Sequence, residues 1–244
     1  MKLRLLIAFA VAVIALALVS RGQIRSLAVY SWNRAVGRKH AIEDRVKQFG
    51  DSVRGRLGPF FSVARLDYPP RRIALVGIKD EQRLQIYASG SDGGFRFVRA
   101  YPILAASGQL GPKLKEGDRQ VPEGVYPIES LNPDSRFHLA LRIGYPNDFD
   151  REQAAKDGRT SLGGDIMIHG SAVSIGCLAM GDEAAEDLFV LAAETGLANI
   201  SVILTPVDFR RGKTAPIGRG PSWTEALYAQ IRARLSELPA EQQK

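Results

Sequence analysis

Short apolar runs separated by glycine- and proline-containing turns fill most of the chain after Arg72. Three of them, "RIALVGI", "RLQIYA" and "FRFVRAYPI", are rich in β-branched and aromatic residues and are divided by turns such as Ser91–Gly94. The runs "FHLALRI" and "NISVILTPV" repeat the pattern further along. The chain has 24 glycines and 13 prolines, which break regular structure too often for a helical bundle. The pattern predicts a mainly β fold with helices, of the α+β class.

Three segments have helical patterns. "DEAAEDLFVLAAETG" starts at Asp182, carries acidic residues in its first turn and ends at Gly196, which predicts a helix with both ends defined. An earlier apolar stripe predicts a helix that ends at Gly58-Pro59. Its members are Ile42, Val46, Phe49, Val53 and Leu57. A last amphipathic helix is predicted from Trp223 to Leu238, after a basic loop.

The N-terminus carries an uncharged apolar run from Leu5 to Val19, bracketed by basic residues. Such a run is typical of an export signal or a membrane anchor. Fifteen residues are short for a full span, and Ala15-Leu16-Ala17 resembles a signal-peptidase site, so both a cleaved signal and an uncleaved anchor stay open. Either one predicts a cell-envelope location, in the periplasm or on the outer face of the cytoplasmic membrane.

The chain divides into four predicted parts. Residues 1–20 form the signal peptide or membrane anchor, and 21–70 form a helical linker region that Tyr68-Pro69-Pro70 closes. Residues 71–207 form the main domain, and 208–244 hold the basic loop and the C-terminal helix. The formal net charge is +7, but the basic residues are scattered and are not interleaved with aromatic ones. We therefore expect no nucleic-acid partner, and attraction to anionic lipid or to an anionic cell-wall polymer.

The stretch "IMIHGSAVSIGCLAM" holds His169 and the only cysteine, Cys177. An exported protein with one cysteine keeps a free thiol in an oxidising compartment, which calls for a reason. His169 stands at the end of a predicted strand, and the chain is expected to double back after Gly170 and bring Cys177 near the imidazole. A histidine beside a cysteine can take the thiol proton and give a thiolate nucleophile. A small buried cysteine without chemistry is the alternative.

Other residues could complete such a site. Gly176 would let backbone N–H groups approach a developing oxyanion. Asp165 lies on the same strand face as His169 but about 13 Å away, so a backbone carbonyl is the other candidate to orient the imidazole. His138 and Arg142 share one face of "FHLALRI" and are candidate substrate contacts, with a structural role for His138 as the alternative.

A long loop, "SGQLGPKLKEGDRQVPEGVYPI", precedes that strand, and loops of this length are often functional. Its Lys113, Lys115 and Arg119 could contact substrate carboxylates or be merely solvated. A metal site built from His169, Cys177, Asp165 and His138 is a weak alternative, because the spacing matches no common zinc pattern.

The segment "IHGSAVSIGCLAM" resembles the signature of the L,D-transpeptidase catalytic (YkuD-type) family of bacterial cell-wall enzymes. "RIALVGIKDEQRLQIYA", "GPKLKEGDRQVPEGVYPI" and "GYPNDFD" extend the resemblance over roughly Arg72 to Pro206, and the combination is most similar to the YafK-like branch. The resemblance implies a β-sandwich-like catalytic domain, Cys177 as nucleophile and His169 as base. It places Gly170, Ser174 and Gly176 at the pocket and oxyanion site, and it implies no metal or organic cofactor.

The implied partners are peptidoglycan stem peptides, and the membrane if the N-terminus is uncleaved. The thiol would attack the carbonyl of the third stem residue, release D-alanine and pass the acyl group to an amine. This sequence has Ile175 where the family's Ser-His-Gly-Cys run has histidine, which affects acceptor choice. Two alternatives remain open: a cysteine hydrolase that gives the acyl group to water, and a non-catalytic peptidoglycan-binding module.

Overall fold

The computed structural model describes residues 39–215 and 220–241. Four α-helices lie within these residues: α1 Ile42–Val63, α2 Asp148–Lys156, α3 Asp182–Thr195 and α4 Thr224–Leu235. The nine strands are β1 Arg72–Ile78, β2 Arg83–Ser89, β3 Phe95–Pro102, β4 Ala105–Ala106, β5 Gly124–Ser135, β6 His138–Ile143, β7 Met167–His169, β8 Leu178–Ala179 and β9 Ile200–Thr205. Short 3₁₀ turns cover Leu197–Asn199 and Phe209–Arg211.

The nine strands form one mixed sheet in the order β3-β2-β1-β9-β5-β6-β7-β8-β4. Strand β5 joins two halves, because it pairs with β9 through its first residues and with β6 through the rest, and it carries two register irregularities. Such irregularities bend a strand. Both halves bury side chains in one apolar cluster, for example Leu75 from β1 and Leu141 from β6. The predicted α+β, sandwich-like class is therefore confirmed.

Helices cover both faces of the sheet. Helices α1 and α3 contribute Phe61 and Leu188 to the larger cluster, and an ion pair joins them where Arg56 Nη2 lies 2.7 Å from an oxygen of the fully buried Asp187. On the other face α4 packs Ile231 against β1 and β9 in a second cluster. Helix α3 begins directly after β8, so its first turn lies beside the strands that hold His169 and Cys177.

Helix α1 runs past the Gly58-Pro59 pair at which the sequence predicts its end. Proline inside a helix removes one hydrogen bond and usually costs about 3 kcal/mol. The residue four positions earlier is Gly55, and no atom lies within 4 Å of the place where its Cβ would be. The last turn continues because Phe61 is buried at 1% exposure, so apolar packing outweighs the cost of Pro59.

The structure adds helix α2, which the sequence did not predict. Its start is fixed by a reciprocal cap: the Asn147 side chain accepts from Asp150 N–H, and the Asp150 carboxylate accepts from Asn147 N–H. None of the helices among the described residues is long and apolar enough to cross a membrane. The apolar run of residues 5–19 lies outside the described residues.

Candidate active site

His169 and Cys177 come together because β7 and β8 are adjacent parallel strands. His169 pairs with Ala179, and Cys177 stands two positions before Ala179 at the entrance of β8. Side chains two positions apart in a strand point to the same face. By the strand spacing and rise, this register puts the Cα atoms of Cys177 and His169 about 8 Å apart. A thiol and an imidazole can meet across that distance.

The imidazole of His169 is held on two sides. Its Nδ1 lies 2.5 Å from the carbonyl oxygen of Gly170, and a carbonyl can only accept, so Nδ1 carries the proton and Nε2 is left as the basic nitrogen. Phe137 stacks on the ring, with the centroids 4.7 Å apart. His169 is 2% exposed, and burial lowers the pKa of its imidazole, while the bond to Gly170 opposes the shift.

The thiol of Cys177 is half-buried. Its Sγ lies 3.5 Å from the Asp165 carbonyl oxygen, which accepts from the thiol. Burial raises the pKa of Cys177, a backbone hydrogen bond from Met167 opposes that rise, and the Asp165 charge adds to it. A raised thiol pKa and a lowered imidazole pKa both favour the neutral pair. Burial disfavours the charged form of both groups, so the thiolate expected from the sequence would form as the imidazole takes the thiol proton.

The turn before the nucleophile is tied by two serine hydroxyls. Ser174 Oγ accepts from Cys177 N–H at 3.0 Å and donates to the Cys177 carbonyl at 2.5 Å. Ser107 Oγ accepts from Gly176 N–H at 2.6 Å and donates to the Arg119 carbonyl at 2.7 Å. Gly176 has φ = +93°, a conformation that favours glycine. Both amides expected near an oxyanion are thus occupied by hydroxyls at rest.

Gly170, which the sequence predicts at the pocket, is closely packed by its neighbours. Its φ is not positive, and the left-handed residue of the turn is Ser171, with φ = +62°. A Cβ on Gly170 would lie 2.6 Å from Asp182 Oδ1 and 2.7 Å from the Phe137 carbonyl oxygen. Gly170 is therefore required by close packing and not by a turn conformation.

The structure separates the two candidate substrate contacts. His138 directs its Nε2 to Glu186 of α3, 3.1 Å away, and its ring meets Phe49 of α1 edge-on at 5.4 Å. Arg142 stays near the thiol, since its Nη1 lies 2.9 Å from the carboxylate of Asp165. A substrate contact by either residue stays a prediction. Among the described residues no group of three or more acidic, cysteine or histidine side chains could hold a metal ion.

The long loop, residues 107–123, is anchored at its far end by a buried charge pair. Lys79 Nζ donates to Glu123 Oε1 at 2.9 Å and to the carbonyls of Gly111 and Val121 at 3.0 and 3.1 Å. Glu123 also accepts from Gly111 N–H at 2.7 Å and from Tyr228 O–H at 2.9 Å. The loop therefore connects α4 and β1 to the turn that carries Cys177.

Sequence reasoning missed three residues of the site. Ser107 lies 69 positions from its partner Gly176, and no local pattern connects them. Phe137 immediately precedes β6 and stacks on His169. Asp182 was assigned only to the start of a helix. The position of Asp182, one residue after Gly181, could have indicated this contact, because a carboxylate there reaches the loop between β7 and β8.

Comparison with known proteins places the site in a family. The family model described as the YkuD L,D-transpeptidase catalytic domain matches residues 71–207, and this range includes both His169 and Cys177. The protein named "Putative L,D-transpeptidase YafK" of Escherichia coli K12 is 38% identical over 113 residues. That match covers 46% of this chain and 43% of the relative, so it spans less than half of the relative's length.

Solved structures similar to this chain include two from other bacteria. The helical cell shape determining protein Pgp2 of Campylobacter jejuni is 22% identical with a TM-score of 0.47, covering 59% of this chain and 50% of that one. L,D-transpeptidase 1 of Mycobacterium tuberculosis is 15% identical with a TM-score of 0.32, covering 55% and 62%. Because the family model spans more than half of the chain, the protein belongs to the L,D-transpeptidase catalytic domain (YkuD) family.

Proposed function

We propose that the protein is a cell-envelope L,D-transpeptidase that transfers the acyl group of a peptidoglycan tetrapeptide stem through a thioester on Cys177. The observation that carries the proposal is the Cys177–His169 pair on adjacent parallel strands, with Nδ1 of the imidazole fixed by the Gly170 carbonyl. That bond leaves Nε2 as the basic nitrogen of the imidazole. Membership of the YkuD family supports peptidoglycan as the substrate.

In the first half-reaction, His169 Nε2 takes the thiol proton as Sγ attacks the carbonyl carbon of the third stem residue. A neutral resting pair makes this general-base attack the natural route, because no thiolate has to form beforehand. The tetrahedral intermediate then collapses, and the carbon–nitrogen bond to the terminal D-alanine breaks. The imidazolium gives its proton to the leaving amine, which restores neutral His169 and leaves the thioester.

The oxyanion of the intermediate needs N–H donors near Sγ. The amides of Cys177 and of Gly176 just before it are candidates, and in the resting structure each bonds a serine hydroxyl, from Ser174 or Ser107. We infer that the substrate oxygen replaces one or both hydroxyls as the charge develops. A charged acceptor bonds an N–H more strongly than a hydroxyl does, so the exchange favours the transition state over the bound substrate.

In the second half-reaction an acceptor attacks the thioester and Cys177 leaves. An amine gives a cross-link or an attached protein, and water gives a free acid, so hydrolysis is the second candidate function. Hydrolysis stays a candidate because the apolar side chains on the turn before the nucleophile are exposed. Val173 is 50% and Ile175 72% exposed, so these two side chains do not seal the thiol from water. Residues 1–20 would provide the export signal or anchor for the envelope location.

The test uses tetrapeptide-stem muropeptides under reducing conditions with the wild type and Cys177→Ala. Intact mass should show an acyl adduct on the wild type only, with the loss of one D-alanine from the donor. A diaminopimelate-type amine added afterwards should give a cross-linked product, whereas free acid alone would identify the hydrolase. Absence of adduct and of turnover, together with sacculus binding that Cys177→Ala leaves intact, would instead identify a binding module.

A further inference from the structure

One peptide unit beside His169 is hydrogen-bonded at both ends. The carbonyl of Gly170 accepts from His169 Nδ1–H at 2.5 Å, and the N–H of the same peptide, which belongs to Ser171, donates to Asp182 Oδ1 at 2.8 Å. In a trans peptide the C=O and N–H point in opposite directions. The imidazole and the carboxylate therefore lie at the two ends of a single planar, polar group.

The carboxylate of Asp182 is directed to this peptide and not to its own helix. Asp182 is the first residue of α3, and the helix is capped by Gly181 with no side-chain hydrogen bond. Acidic groups in the first turn stay favourably charged, because the N-terminal end of a helix is positive. The left-handed backbone of Ser171, φ = +62°, turns its N–H toward the carboxylate. Asp182 thus brings a negative charge to the peptide.

Backbone bonds fix the two segments relative to each other. Gly181 N–H donates to the Ser171 carbonyl at 2.9 Å, and Met180 N–H donates to the His169 carbonyl at 2.8 Å. The side of Gly170 is filled as well, since a Cβ there would touch Asp182 Oδ1 at 2.6 Å. The peptide between His169 and Asp182 consequently has little freedom to rotate away from either partner.

We propose that Asp182 is a positioning residue for His169 and acts through the Gly170–Ser171 peptide. A carboxylate that accepts from the peptide N–H polarises the peptide and makes its carbonyl oxygen a stronger acceptor. The stronger acceptor keeps the proton on Nδ1 and stabilises the imidazolium that forms when Cys177 gives up its proton. In this arrangement a peptide group stands between the histidine and its acidic partner, which in other triads bond directly.

Other charged groups near His169 already have partners. Arg136 lies over Phe137, with its guanidinium carbon 5.9 Å from the ring centroid. The carboxylate of Asp165 is paired with Arg142 beyond the thiol, and His138, whose Cβ lies near Gly170, is paired with Glu186. None of them bonds the peptide that accepts from Nδ1.

The inference rests on the proposed role of His169 as the base for Cys177, and its test needs no peptidoglycan. Iodoacetamide alkylates the Cys177 thiolate. The second-order rate constant of alkylation, measured as a function of pH, therefore reports how well His169 holds the proton that the thiol gives up. The variants are Asp182→Asn, which keeps the size and removes the charge, and Asp182→Ala. The matched control is Glu183→Gln, which removes an exposed carboxylate from the same helical turn.

We expect the neutral-pH alkylation rate to fall about tenfold in Asp182→Asn and up to about 100-fold in Asp182→Ala, by analogy with the loss of an outer-shell partner of a metal-binding histidine. The acid limb of the profile should move to lower pH, because a less stable imidazolium means a lower His169 pKa. A purely structural residue would not move this limb. Glu183→Gln should match the wild type.

Folding is checked by thermal unfolding, and Asp182→Asn gives the result if Asp182→Ala does not fold. A wild-type rate and acid limb in Asp182→Asn would overturn the proposal, whatever the alanine variant does. The outcome is separate from the proposed function: a protein that shows the shifted limb but forms no thioester with muropeptides keeps the Asp182 role and loses the transpeptidase assignment.

Discussion

Replacing Lys79 by methionine should destabilise the protein by about 3–4 kcal/mol at pH 7. The change keeps the length of the side chain and removes the cation that bonds Glu123, whose side chain is fully buried. Breaking a buried pair by removing one partner typically costs 3–5 kcal/mol. Burial already lowers the pKa of Lys79, and the Glu123 carboxylate opposes this shift, so the pair depends on both partners.

The part of the loss that comes from the unpaired Glu123 carboxylate has an upper limit. A stranded carboxylate can take up a proton instead, and protonating an ordinary glutamate at pH 7 costs about 3.7 kcal/mol, from 1.36 kcal/mol for each pH unit above 4.3. The remaining bonds of Glu123, from Gly111 N–H and Tyr228 O–H, reduce the penalty slightly. The loss should shrink as the pH falls from 7 toward 4, because only the charged carboxylate is penalised.

Urea unfolding of the purified full-length chain at pH 7 and pH 5 measures the effect, and the melting temperature should fall by roughly 6–16 °C at pH 7. The control is the double variant Lys79→Met/Glu123→Gln, which removes both charges and should recover about 2 kcal/mol or more. A single-variant loss below about 1 kcal/mol, or a double variant less stable than the single one, would refute the reasoning.

Three further outcomes can be tested, two at the site and one in helix α1. The rate of Cys177 acylation by muropeptide should rise with pH and reach its plateau before pH 6.5, because burial lowers the His169 pKa and the base is neutral above that pKa. A rate that still rises with pH above 6.5 would contradict this. Gly170→Ala should cost about 1–3 kcal/mol in urea unfolding and slow acylation, since its Cβ would meet the Phe137 carbonyl at 2.7 Å. Gly55→Ala, in open space within α1, should instead gain about 0.5–1 kcal/mol.

The strands and helices with strong patterns could be predicted from the sequence, and two exceptions show why others could not. Helix α2 has a weak apolar stripe, with Ala154 as its only buried apolar residue, and its start depends on the reciprocal Asn147–Asp150 cap. Helix α1 continues past Pro59 because Phe61 finds a tertiary partner, which local propensity cannot report. In both cases a local rule is overridden by a contact or a cap.

The candidate site also has parts that the sequence predicts and parts that it does not. His169 and Cys177 could be found because both are rare residue types in one short segment at a strand end. The sequence left the partner of the imidazole open between Asp165 and a backbone carbonyl, and the structure gives the Gly170 carbonyl. The Ser107–Gly176 bond joins residues far apart in the chain, and the neutral state of the pair depends on burial. Neither is written in a local pattern.

The carbonyl that orients His169 belongs to the main chain, and this affects how mutation can reach the site. In a triad built from three side chains, a single codon change can delete the orienting group. Here no substitution at position 170 removes the carbonyl, so genetic variation can alter it only indirectly, by crowding the peptide or changing what its other end meets. A single substitution therefore cannot delete the orienting carbonyl. A substitution at position 170 would act by changing how the peptide packs.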